Sequence, residues 1–187
     1  MKEKLLIIGA GGLGRMTLEI VNKDYECFFV DDGFSVGDVV CGTKIVGRVS
    51  DISLLNDVYE NFIVAIGDNS IREKITEYCL FHGLKLISAV SPLSYVSKWA
   101  SIGDGCIVFP FATIQNASNV GMGTVICSHS EIHHDSCVGN YCVIYPNSTV
   151  RTYAKVGDRV KCGSNVSIGN GCVINDGCDI RNGTNMF

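Results

Sequence analysis

Between Val90 and Met186 every sixth position is aliphatic, with Cys162 as the one soft substitute, which makes seventeen positions in a single phase. A second comb two residues ahead holds mostly small side chains, from Ala100, Cys106 and Ala112 to Ser148 and Ala154. Glycine follows the aliphatic residue at Gly103, Gly121, Gly139 and Gly157, spaced by 18, and again at Gly169. An α-helix repeats at 3.6 residues and a half-buried strand at 2, so a period of six reads as a solenoid. One hexad makes a short strand and a turn, and three hexads close a triangular coil. The aliphatic side chain points inward and stacks on its equivalents in neighbouring coils, since no coil buries its apolar edge alone. The small residue also points inward, where the bend leaves little room. Glycine after the aliphatic is expected where a Cβ would crowd the backbone or where φ is positive.

Hexads of the form aliphatic–Gly–x–x–small–x resemble the left-handed parallel β-helix of the hexapeptide acyltransferases. The left hand is implied by that resemblance, as an exception to the right-handed crossover rule. This domain is expected over residues 87–187.

With 187 residues and a net charge of −4, the chain holds one or two small domains and offers no basic surface for nucleic acid or an anionic membrane. Its apolar opening runs only from Leu5 to Ile8, too short for a signal peptide core or a membrane span, so a soluble, cytoplasmic protein is expected. Ten cysteines occur without a CxxC pair, which argues against zinc or thioredoxin chemistry. Cys106, Cys142, Cys172 and Cys178 fall on the small comb and Cys162 on the aliphatic one, where they act as compact apolar residues in a reducing compartment.

Residues 1–86 follow a different pattern. Lys4–Ile8 reads as a buried strand, Met16, Leu18, Ile20 and Val21 as helical periodicity, and Cys27–Val30 as a second strand. Glu60–Ile66 reads as a third strand, 71–82 as a helix capped by Asn69 or Ser70, and Leu84–Ile87 as a last strand. Alternating elements imply a small Rossmann-like α/β domain, a parallel sheet with helices on both faces. Gly9, Gly11 and Gly14 form G-x-G-x-x-G between strand and helix, where backbone N–H groups can approach a phosphate, and Asp31 ends the next strand, within reach of a ribose hydroxyl. NAD is the obvious competitor, but about 85 residues are too few for a two-half dinucleotide fold. A nucleotide-sugar offers the same ribose and pyrophosphate.

The run from Leu6 to Arg15, the strand end Val30-Asp31-Asp32, the segment from Val64 to Arg72 and the hexapeptide domain together resemble bacterial nucleotide-sugar acetyltransferases, of the sialic acid O-acetyltransferase and UDP-4-amino-sugar N-acetyltransferase type. The resemblance implies a sugar-nucleotide site of Gly11, Gly12, Asp31, Asp32, Gly67, Asp68, Asn69 and Arg72, with acetyl-CoA as co-substrate on the β-helix and no metal. Glu131 to Gly139 is similar to the family's catalytic stretch, which puts His134 on the catalytic histidine, Asp135 on its acidic partner and His133 where glutamate is usual. Imidazole suits a base for an attacking amine or hydroxyl because it titrates near working pH. His129, His133 and His134 occupy different phases of the coil, which disfavours zinc.

The resemblance further implies acetyl-CoA contacts at Thr152 and Gly163 and a homotrimer; the faces carry Phe109, Phe111, Tyr141 and Tyr145, which fit either such packing or ordinary exposed aromatics. Val143 stands where the family shows a second histidine, Thr152 near a family glycine, and the comb stops at Met186 without the family's closing segment. The expected function is acetyl transfer to an amino or hydroxyl group of a bacterial sugar. The alternative is a sugar-nucleotide-binding or scaffold protein that has lost acetyl-CoA use.

Overall fold

A computed structural model describes residues 2–187, which fall into two compact units, one ending at Ala89 and one starting at Val90. In the first, Leu5 to Ile8 are fully buried, the continuous apolar run of a strand covered on both faces. That strand, β1 (Glu3–Ile8), is central, with parallel β2 (Tyr25–Val30) on one side and parallel β5 (Asn61–Val64) on the other. Beyond β2 lies parallel β4 (Thr43–Gly47), with antiparallel β3 (Val39–Val40) outside it, and beyond β5 lies parallel β6 (Lys85–Leu86).

Helix α1 (Gly12–Val21) joins β1 to β2 in one direction across the sheet, and α3 (Asn69–Phe81) joins β5 to β6 in the other; a short α2 (Ile52–Leu55) precedes β5. Right-handed crossovers in opposite directions put α1 and α3 on opposite faces. The reversal makes a switch point between β1 and β5, where the loops after the strands open a crevice.

Three details differ from the sequence reading. The β3–β4 hairpin was not expected; β3 has two residues, and the turn rests on positive φ at Cys41 and Gly42, only the second of which announces itself. The buried face of α1 is Gly14, Thr17, Leu18 and Val21, while Met16 is 49% exposed. The cap of α3 is Asp68, whose carboxylate accepts the Ile71 N–H at 2.9 Å; the helix starts earlier than expected, and the Asn69 side chain is engaged by Arg72.

In the second unit each comb residue ends a two-residue strand, from β7 (Ala89–Val90) and β8 (Tyr95–Val96) to β22 (Asp179–Ile180) and β23 (Asn185–Met186). The strands pair in parallel at a spacing of 18, as in Thr113 with Glu131 and Glu131 with Thr149, and form three sheets of six, six and five strands. The result is the left-handed parallel β-helix. Val108, Ile126, Ile144 and Cys162 are all fully buried in one column of its core. The small comb does more than save space. Thr124 Oγ1 donates to the Gly139 carbonyl at 2.8 Å, Ser148 Oγ to that of Gly163 at 2.6 Å and Cys142 Sγ to that of Gly157 at 3.0 Å, each in the following coil. Every cysteine is free. Burial pushes the thiol of Cys162 up to about 12 and that of Cys127 to about 11, which keeps both neutral and unreactive.

The repeated glycines divide the two expectations made for them. They are crowded, but positive φ lies two residues further on, at each corner from Gly105 to Gly183, and from Phe111 to Asn165 nine such corners carry a side chain. A Cβ at Gly121 would lie 2.6 Å from Asn140 Oδ1 and one at Gly163 2.6 Å from Asn182 Oδ1; at Gly139 and Gly157 it would run into Asp158 and Asp176. These oxygens accept backbone N–H groups of the preceding coil: Met122 to Asn140 at 2.9 Å, Asn140 to Asp158 at 2.7 Å, Asp158 to Asp176 at 2.9 Å and Ser164 to Asn182 at 2.9 Å. Each of these four glycines is the seat for a side chain 19 residues later, whereas Gly103 and Gly169 abut backbone of the next coil.

Candidate functional site

Two places hold the residues singled out in the sequence. In the first unit a pocket of about 380 Å³ opens at the switch point, lined by Gly11, Gly12, Asp31, Asp32 and Gly67, with Val49 and Ile75 among its apolar walls. Two glycines of the G-x-G-x-x-G are required by the chain itself. A Cβ at Gly9, whose φ is +103°, would lie 2.7 Å from the Ala65 carbonyl oxygen, and one at Gly14 would collide with the Gly9 carbonyl. Gly11 and Gly12 have no atom within 4 Å of such a Cβ, so the space they leave is open. Gly11 is the N-cap of α1 and offers no side-chain cap, which leaves first-turn N–H groups and the positive end of the helix at the pocket.

The two aspartates are already engaged. Asp31 accepts the Ala10 N–H at 2.7 Å through Oδ2 and the Gly33 N–H at 2.8 Å through Oδ1, so it ties down the glycine-rich turn. Asp32 Oδ1 accepts the Val49 N–H at 2.9 Å. Each carboxylate oxygen keeps a further lone pair for a ligand hydroxyl. Asp68, Asn69 and Arg72 do not line the pocket. Arg72 is 1% exposed; its Nη1 donates to the Ile66 carbonyl at 2.8 Å and its Nη2 to Asn69 Oδ1 at 3.1 Å. Together with the cap at Asp68, these contacts shape the loop that presents Gly67. Arg72 is thus a buried pin rather than a solvated charge.

The second place is a corner of the β-helix just after strand β14 (Glu131–Ile132). His134 Nδ1 lies 2.7 Å from Asp135 Oδ2, with the two side chains 51% and 43% exposed. Consecutive side chains of an extended strand point to opposite faces. Here Asp135 sits in the left-handed region at φ 60°, which breaks that alternation and lets neighbours meet. With Nδ1–H donated to the carboxylate, neutral His134 presents Nε2 as an acceptor. Thr152, one coil on, brings its Oγ1 to 3.3 Å from Nε2, and Gln115 of the preceding coil accepts the His134 backbone N–H at 3.1 Å. Gln115 was not singled out in the sequence; only its place 19 residues before His134 could have marked it.

The other candidates spread out. His133 Nε2 pairs with Glu131 at 3.1 Å, and His129 stacks on Phe111 with ring centroids 5.1 Å apart. Among the described residues no group of three or more His, Cys, Asp or Glu is arranged to hold a metal. Gly163 lies past a different corner, with its N–H on the Ile180 carbonyl and its C=O taken by Ser148. Val143, in β16 (Val143–Ile144), is buried, as are Phe109 and Tyr141, so of the four aromatics only Phe111 and the half-buried Tyr145 retain exposed surface.

Known proteins match both units. The family model described as the PglD N-terminal domain matches residues 4–79. GDP-perosamine N-acetyltransferase of Escherichia coli O157:H7 is 33% identical over 164 residues, 81% of this chain and 72% of that protein. UDP-N-acetylbacillosamine N-acetyltransferase of Bacillus subtilis is 29% identical over 112 residues, 57% of this chain and 51% of that one. The acetyltransferase domain of PglB from Neisseria gonorrhoeae, solved with acetyl coenzyme A, superposes with a TM-score of 0.89 at 27% identity, over 99% of this chain and 96% of that one.

Proposed function

This chain belongs to the nucleotide-sugar N-acetyltransferase family, and on that premise we propose that it moves an acetyl group from acetyl-CoA to an amino group of a nucleotide-linked sugar. The observation that carries the reading is the His134–Asp135 pair, 2.7 Å apart on an exposed corner, with Nε2 turned to act as acceptor. The amine nitrogen attacks the thioester carbonyl carbon, and His134 Nε2 takes the proton that nitrogen loses. Asp135 holds the tautomer and stabilises the imidazolium. The C–S bond breaks as the amide forms, and the proton passes from His134 to the departing sulfur, which gives free coenzyme A. No acyl-enzyme is needed. We assign the oxyanion to a backbone N–H of the following coil, with that of Thr152 as the candidate donor.

The pocket of the first unit supports a role in holding the nucleotide. Its uncapped helix end suits a diphosphate, and Asp31 and Asp32 suit ribose hydroxyls. We infer a homotrimer working in the cytoplasm; the family fold and the free thiols support this reading. The test mixes protein, acetyl-CoA and GDP- or UDP-linked amino sugars and follows thiol release. Release is expected with an amino sugar, and His134→Ala should slow it by roughly 10²–10⁴-fold without lowering the melting temperature. Thiol release that is equally fast in His134→Ala would remove the histidine from the mechanism.

A further inference from the structure

We propose that Thr152 is a positioning residue for His134, its hydroxyl holding the imidazole ring in the orientation the reaction needs. The inference rests on the reading of His134 as the base. That ring is half exposed, and the last torsion of a histidine side chain is broad, so a corner histidine left alone would sample several ring orientations. Contacts from three successive coils hold the residue, one on its backbone and two on its ring. Gln115 Oε1 accepts its backbone N–H at 3.1 Å, Asp135 faces Nδ1 at 2.7 Å, and Thr152 Oγ1 faces Nε2 at 3.3 Å.

The ring of neutral imidazole has one N–H. With it on Nδ1 toward Asp135, Nε2 is an acceptor and the Thr152 hydroxyl is the donor. At 3.3 Å the Thr152 hydroxyl is a long partner for Nε2, so it steers the ring from one side while the half-exposed lone pair stays open to the N–H of the acceptor amine. Its β-branch restricts χ1, so the hydroxyl itself is held in place. The 18-residue step from His134 to Thr152 is one full coil, and the parallel pairing of Glu131 with Thr149 fixes it.

Two variants separate hydroxyl from bulk: Thr152→Val keeps the shape and removes the donor, and Thr152→Ser keeps the donor and removes the methyl. Thr152→Val should lower kcat by about tenfold, the usual weight of one hydrogen bond, with KM for acetyl-CoA and for the sugar nucleotide within about twofold. Thr152→Ser should stay within about threefold of the parent. A Val variant with parental kcat, or a Ser variant as slow as Val, would overturn the proposal.

The ring ¹⁵N resonances of His134 in the intact protein, without substrate, give a readout apart from turnover. The Nε2 resonance should move in Thr152→Val and stay in Thr152→Ser; an unmoved resonance in Val means there is no such bond. If the parent protein releases no thiol with any amino sugar, the proposed reaction fails, and the resonance still decides the contact.

Discussion

At Gly11 and Gly12 a side chain would meet no protein atom within 4 Å, whereas at Gly139 it would collide with Asp158 and lie 2.6 Å from the backbone of Gly157. The first pair leaves room that this chain does not fill, beside an uncapped helix end in a pocket. The second fills its room with the chain's own next coil. A glycine-rich sequence therefore has two meanings, and only the three-dimensional neighbours tell them apart. Substitution should separate stability from binding along that line.

The largest effect is expected in the β-helix. Gly139→Ala should cost about 2–4 kcal/mol in chemical denaturation, because the new methyl has no free volume to enter. Asp158→Ala alone should cost about 1 kcal/mol through the lost acceptor for the Asn140 N–H. The double variant should cost clearly less than the sum, since removing the carboxylate reopens part of the seat. Strict additivity in that cycle would mean the glycine and the aspartate are not partners.

In the first unit the expectation reverses. Gly12→Ala should raise stability slightly, because alanine favours a helix start by about 0.5–1 kcal/mol over glycine. It should weaken sugar-nucleotide binding by roughly tenfold, about 1.4 kcal/mol, measured by titration calorimetry. Unchanged binding would show that the space beside Gly12 is not used. The smallest effect belongs to the corners. Ala117 is exposed and sits at φ 54°, so Ala117→Gly should stabilise the protein by about 0.5–1 kcal/mol in denaturant titration. A loss there would mean the corner is not strained.

The same contrast explains what could be read from the sequence. The comb was legible because every aliphatic residue after the first has one environment, the prism interior, and each did end a strand; Val90, on the first strand, is 36% exposed. The Rossmann-like order was legible from the motif and the β-helix from the period, whereas its left hand came only with the family resemblance. The Asn140, Asp158 and Asp176 ladder was not, because an Asx residue after a strand reads as a solvated turn until the preceding coil is laid beneath it. Asp31 was seen as a residue facing a ligand; its bond to the Ala10 N–H is a tertiary contact with no local signature. Arg72 lay on a helix that reads as amphipathic, and its burial depends on its side chain folding back onto carbonyls of the loop that leads into that helix. At the corner, His134 and Asp135 carried a motif, whereas Gln115 and Thr152 join them only through the coil length.

The pairing of Gly121, Gly139, Gly157 and Gly163 with an Asx 19 residues later also sets the order in which this surface can evolve. At positions 139 and 158 the carboxylate must go first: a chain that loses Asp158 survives with one backbone N–H less well bound, and only then has space for a larger residue at 139. The opposite order passes through an overpacked intermediate. Each rung of the ladder works as a one-way gate, and the β-helix can exchange these four glycines only by paths that start one coil further along.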